Sequence, residues 1–81
     1  MYYTYILKSE KFEKLYIGHT ENLEKRLIEH NSNRSNFTKG KGPWKIIYSK
    51  EFTTRSEAMK FENKLKKIKN KNYLLNNLEN F

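Results

Sequence analysis

Leu15-Tyr16-Ile17-Gly18-His19-Thr20-Glu21-Asn22-Leu23-Glu24-Lys25-Arg26-Leu27-Ile28-Glu29-His30-Asn31 decides the fold, because its hydrophobic period changes part-way along. Leu15 to His19 is a short apolar run of strand character, whereas Leu23 and Leu27 recur at helical spacing. Thr20 offers a capping hydroxyl, and Glu21 and Glu24 place negative charge in the first turn, where the helix dipole favours it. The helix is predicted to run to about Asn31. At about 100° per residue, His30 falls beside the Leu23 and Leu27 stripe and Arg26 a little further round on the same side. Both polar side chains therefore border the face that packs.

Upstream, Tyr2 to Lys8 is rich in aromatic and β-branched residues and is followed by the polar stretch Ser9-Glu10-Lys11-Phe12-Glu13, so the first two strands form a hairpin. Downstream, Asn31 to Pro43 is a loop by composition, with Arg34, Lys39 and Lys41 spaced along it. Trp44 to Phe52 alternates Trp44, Ile46 and Tyr48 with Lys45, Ile47 and Ser49 and reads as a third strand. Thr54 and Glu57 make a capping box, after which Ala58, Phe61, Leu65 and Ile68 recur at helical spacing. Lys66-Lys67-Ile68-Lys69-Asn70-Lys71 closes that helix with positive charge, and a last short helix with Tyr73, Leu74 and Leu78 packs back on the core. The pattern predicts one α+β domain over residues 1–81, in the order β-β-α-β-α-α.

With 81 residues there is room for one small core and not for a second catalytic module. Absence of cysteine rules out disulfides and thiolate zinc sites and fits a reducing cytoplasm. One Trp, six Tyr and five Phe supply the packing area instead. No apolar run approaches the ~20 residues that cross a bilayer, and Met1-Tyr2-Tyr3-Thr4 has no basic segment followed by an apolar one. A soluble, cytoplasmic protein without a membrane partner is expected. A net charge of +8 attracts polyanions by counterion release, which makes nucleic acid the leading partner class over a surface kept basic for solubility.

Tyr3-Thr4-Tyr5 keeps the final tyrosine of a Gly-Ile-Tyr tripeptide, Tyr16-Ile17-Gly18 matches a Tyr-Ile-Gly tripeptide in full, and Glu24-Lys25-Arg26-Leu27 with His30-Asn31 follows on a helix. Phe61-Glu62 with Leu65-Lys66 comes later, after the loop Phe37-Thr38-Lys39-Gly40-Lys41-Gly42-Pro43-Trp44. In this order the chain resembles the GIY-YIG nuclease domain, in particular its small stand-alone bacterial branch. The resemblance implies a three-stranded antiparallel sheet flanked by helices. It also implies a catalytic set of Tyr5, Tyr16, Arg26, His30 and Glu62, with Glu62 as the metal ligand.

The residues suit those roles and also have plainer readings. On the helical wheel Glu62 borders the apolar stripe near Ala58, where it faces a cleft or pairs with Lys66 one turn on. One carboxylate is enough for Mg2+ or Mn2+ if water and substrate phosphate complete the shell. Tyr16 is the expected general base; a free phenol has a pKa near ~10 and needs nearby positive charge to act at neutral pH. Tyr5 either orients water or phosphate or is a packing residue. Arg26 offers a planar fork to a phosphate, with Glu29 as its one well-placed acidic neighbour. His30 either holds water or a leaving oxygen, or caps the apolar stripe. Arg34, Lys39, Lys41, Lys66, Lys67 and Lys69 are expected on backbone phosphates and not on bases.

The function expected from all this is a metal-dependent endonuclease acting on nucleic acid, with DNA the favoured polymer and repair or recombination the setting. Its rival is a non-catalytic nucleic-acid-binding module that keeps the fold, for which the basic loop and the aromatics suffice. A third reading is a small adaptor targeted by a partner protein. Oligomeric state is left open.

Overall fold

The computed structural model describes residues 1–32 and 38–81. Strand β1 (Tyr2–Ser9) is central in a three-stranded antiparallel sheet of order β2-β1-β3, with β2 (Leu15–Thr20) on one edge and β3 (Trp44–Phe52) on the other. Helix α1 (Leu23–Asn31) covers one face of the sheet; α2 (Arg55–Lys66), α3 (Lys71–Asn76) and a 3-10 turn (Leu78–Asn80) cover the other. This is the α+β fold expected from the sequence. Because both faces are covered, four consecutive residues of β1, Thr4 to Leu7, are buried.

The period-two alternation of β1 sorts its side chains into two cores. Tyr5 and Leu7 join Trp44 on the α1 face, with Tyr16, Leu23, Leu27 and Ile46 packed against them. Ile6 joins Leu65 and Leu74 on the α2 face, with Leu15, Ile17, Ile47, Tyr48 and Phe61 around them. Thr4 points the same way and donates its hydroxyl to the Ala58 carbonyl at 2.7 Å, which ties α2 to the central strand.

Four local expectations are corrected. Asn22, and not Thr20, caps α1: its side chain accepts from the Lys25 N–H at 3.0 Å, and Thr20 Oγ1 instead accepts the Asn22 N–H. Glu21 thus precedes the helix, where it pairs with Arg55. In β3 the alternation breaks at a bulge: Ile6 faces Tyr48 while Leu7 faces Ile46, leaving Ile47 as the extra residue. Tyr48 is thereby turned to the α2 core, away from Trp44 and Ile46. The basic run does not close α2 as a unit, since the helix ends at Lys66 and Asn70 already caps α3 by accepting from Tyr73 N–H. Finally, Leu74 is buried as predicted, but Tyr73 is exposed. The Thr54 and Glu57 box is present as read, with Thr54 Oγ1 accepting the Glu57 N–H.

The loop before β3 is fastened at both ends. Asn31 Oδ1 accepts from Trp44 N–H at 2.6 Å and its amide donates to Trp44 O, locking the end of α1 to the start of β3. Thr38 O accepts from Trp44 Nε1 and from Lys41 N–H, closing a turn in which Gly40 takes a φ of +76°, a conformation that favours glycine. Ser9 Oγ donates to Lys41 O and accepts the N–H groups of Lys11 and Phe12, joining this loop to the hairpin turn.

Candidate active site

Tyr5 and Gly18 are direct partners across the hairpin. The aromatic ring of Tyr5 lies over Gly18, so close that a Cβ there would sit 2.8 Å from the Tyr5 hydroxyl and 3.0 Å from Tyr16 Cε1. Tyr-Ile-Gly ends in glycine for that reason: two phenols share the space above it. Tyr5 is fully buried and its hydroxyl lies 3.0 Å from His30 Nε2. Burial pushes its pKa up to about 12 although Arg26 pulls it down, so Tyr5 keeps its proton at neutral pH.

His30 is deeper than its wheel position implied; it is wholly buried, with Nδ1 2.7 Å from Thr38 Oγ1. Burial first and the charge of Arg26 second lower its pKa to about 4, so the ring is neutral. The neutral ring has one N–H and one bare nitrogen, so of its two partners, the Tyr5 and Thr38 hydroxyls, one donates to it and the other accepts from it. A hydrogen-bonded chain from Tyr5 through His30 to Thr38 therefore runs beside Arg26, whose charge acts on both Tyr5 and His30. Both nitrogens of His30 are engaged in this chain, which places the residue behind the site.

Tyr16 and Arg26 form the accessible part. The Tyr16 ring packs against His30 at 4.7 Å between centroids and against Tyr5 at 6.2 Å. Arg26 donates to Glu29 at 3.2 Å, the neighbour expected from spacing. Burial works against the guanidinium charge, but hydrogen bonds to Tyr5, Glu29 and Tyr16 outweigh it and hold its pKa above the usual value. A permanently charged fork thus stands beside the phenol of Tyr16, on an α1 surface that remains about one-third open to solvent at the Arg26 side chain.

Glu62 approaches from the other side of edge strand β2. Its Oε1 lies 2.6 Å from His19 Nδ1, and Lys66 Nζ is 2.5 Å from its Oε2. The ion pair with Lys66 allowed by the sequence is present, yet His19 was not among the expected site residues. The available signal was alternation: His19 shares the face of Leu15 and Ile17, which pack toward α2. The charge of Glu62 is among the causes that raise the Tyr5 pKa, so the two halves are in electrostatic range. Among the described residues no group of three or more His, Cys, Asp or Glu side chains converges on a metal position. Glu62, 13% exposed at the side chain, fits the less demanding case of a single carboxylate under a largely hydrated Mg2+ or Mn2+.

Two clefts flank Tyr16 and Arg26. One, of about 360 Å³, is lined by Lys14, Lys41, Lys71, Tyr16 and Trp44, with Glu13 the lone acid; the other, of about 340 Å³, mixes Lys25, Arg26 and Arg55 with Glu21 and Glu29. Lys66 and Tyr16 line a third of about 380 Å³ along the β2 edge. Of the expected phosphate contacts, Lys41 and Lys66 are therefore beside Tyr16. Lys39, Lys67 and Lys69 are exposed elsewhere on the surface, and Arg34 lies outside the described residues. Lys14 and Lys71 are additions that only the fold brings in.

The chain matches the GIY-YIG catalytic domain over residues 1–76. It is 40% identical over 68 residues to a UPF0213 protein of Oceanobacillus iheyensis, covering 83% of this chain and 78% of that one. To a UPF0213 protein of Clostridium perfringens it is 45% identical over 69 residues, 84% of this chain and 73% of that one. The solution NMR structure of a UPF0213 protein from Bacillus halodurans aligns with a TM-score of 0.53 at 28% identity, covering 90% of this chain and 79% of that one. With its paired tyrosines over a glycine and an arginine on the helix behind them, the chain belongs to the GIY-YIG catalytic-domain family, a family of nuclease type.

Proposed function

We propose that the protein is a metal-dependent endonuclease that hydrolyses phosphodiester bonds of nucleic acid, with DNA as substrate and repair or recombination as its setting. The observation that carries this reading is the packing of half-buried Tyr16 against buried Tyr5 and His30, with Arg26 and His30 presented one turn apart on α1. Tyr5, with a pKa pushed up to about 12, keeps its own proton, presents its oxygen to the guanidinium and takes no proton from water. Tyr16 is the phenol that water can reach, and it serves as proton acceptor for attack in line with the leaving oxygen. Arg26 offers the non-bridging phosphate oxygens parallel hydrogen bonds and a charge that does not titrate, a contribution that can be worth ~3 kcal/mol in the barrier. Glu62 would hold a hydrated Mg2+ or Mn2+, which when bound neutralises phosphate charge and polarises a phosphoryl oxygen. His30 and Thr38 keep Tyr5 and Arg26 in place.

The competing reading, a binding module without catalysis, is favoured by one observation: both oxygens of Glu62 are engaged, by His19 and Lys66, as they would be in a structural ion pair. Single-turnover cleavage of structured DNA and RNA with Mg2+ or Mn2+ separates the two. Tyr16→Phe keeps the ring packing and removes the acceptor, so cleavage should fall by ~10² to 10⁴ with little change in melting temperature or affinity. Glu62→Ala should abolish the metal-dependent reaction. Wild-type protein that binds every substrate and cuts none would favour the binding module.

A further inference from the structure

We propose that His19 is a second protein ligand to the cation that Glu62 holds, giving a nitrogen and oxygen pair that prefers Mn2+ and later first-row divalent ions over Mg2+. This rests on the reading of Glu62 as a metal ligand. His19 comes from β2 and Glu62 from α2, elements 43 residues apart in sequence, yet Nδ1 and Oε1 meet at 2.6 Å. Neighbouring donors of an octahedral cation with bonds of about 2.1 Å lie about 3 Å apart. The pair needs to open by only a few tenths of an ångström, and both side chains retain some exposure, 22% for His19 and 13% for Glu62. Lys66, which is half exposed, sits on the other carboxylate oxygen and leaves Oε1 as the one turned to the imidazole.

Lys66 also weakens Glu62 as a lone anionic ligand, so a second donor matters more here than at a bare carboxylate. Imidazole nitrogen suits Mn2+, Co2+ and Zn2+, whereas Mg2+ favours oxygen throughout its shell. His30, the chain's other histidine, is buried with both nitrogens engaged and does not compete for this role. With two protein donors, the remaining positions fall to water and to phosphate oxygens of the substrate.

Electron spin-echo envelope modulation of Mn2+ added to an excess of the protein alone tests this without any turnover. Wild type should show the modulation of a directly bound 14N nucleus, changed to the 15N pattern when only histidine is 15N-labelled and lost in His19→Gln. Because the wild-type spectrum carries the result, misfolding of the variant does not obscure it. In competition, the excess of Mg2+ needed to displace Mn2+ from wild type should exceed that for His19→Gln by about tenfold. Bound Mn2+ that depends on Glu62 but shows no histidine nitrogen would overturn the role of His19 and leave the metal role of Glu62 standing. Mn2+ bound equally by Glu62→Gln, or not bound at all, would overturn both.

Discussion

Gly18 is the residue at which the site is least forgiving. Tyr5 above it is fixed by His30 and Arg26, so the hydroxyl 2.8 Å from a new Cβ has nowhere to go. Gly18→Ala should destabilise by about 1–3 kcal/mol through overpacking, read from urea unfolding, and should displace Tyr16 as well. A variant as stable as wild type would show that the Tyr5 ring yields. His30 makes a second residue-scale prediction. Unfolded, it titrates near ~6.5; folded, its pKa is about 4, so between those values the unfolded chain binds more protons. Its contribution to stability is full above pH ~6.5, declines as pH falls and is lost through pH 4, a change on the order of 3 kcal/mol. The imidazole resonance of His30 should accordingly titrate with a midpoint near 4; a midpoint near 6.5 would contradict its burial.

At the scale of elements, the start of α1 matters because that helix carries both Arg26 and His30. Asn22→Ala removes the capping acceptor for Lys25 N–H and should cost about 1 kcal/mol, whereas Thr20→Ala, two positions before the cap, should cost less. The reverse order in thermal melts would restore Thr20 as the cap. Elements whose cause is local were legible in the sequence: α2 from its capping box and apolar period, the hairpin from two short runs close together, β3 from its alternation. The bulge at Ile47 was not, because it is defined by what β1 presents opposite it. The depth of His30 was hidden for a similar reason. A helical wheel gives the direction of a side chain, while the burial comes from Tyr5 and Thr38 on other segments. The order of Tyr5, Tyr16, Arg26 and Glu62 was readable, but His19 was missed because alternation along β2 gives only the face it occupies, while its partner Glu62 is distant in sequence.

At the scale of the whole molecule, part of the +8 charge gathers, among the described residues, in the cleft where Lys14, Lys41 and Lys71 flank Tyr16. Nucleic-acid affinity should fall steeply with salt, and replacing each of these lysines by alanine should flatten the slope of log affinity against log salt by about 1, for all sequences alike. Affinity indifferent to salt would sink the electrostatic account. Sheet and helices also divide the interior: Tyr5, Tyr16, Leu23 and Leu27 pack on one face of the sheet, and Ile6, Ile17, Leu65 and Leu74 on the other. A substitution that loosens the phenol and guanidinium side therefore need not disturb the carboxylate side. On the function proposed above, heritable variation would have two separately adjustable compartments to work on: a lineage could alter which cation it recruits while its grip on the phosphate stays as it was.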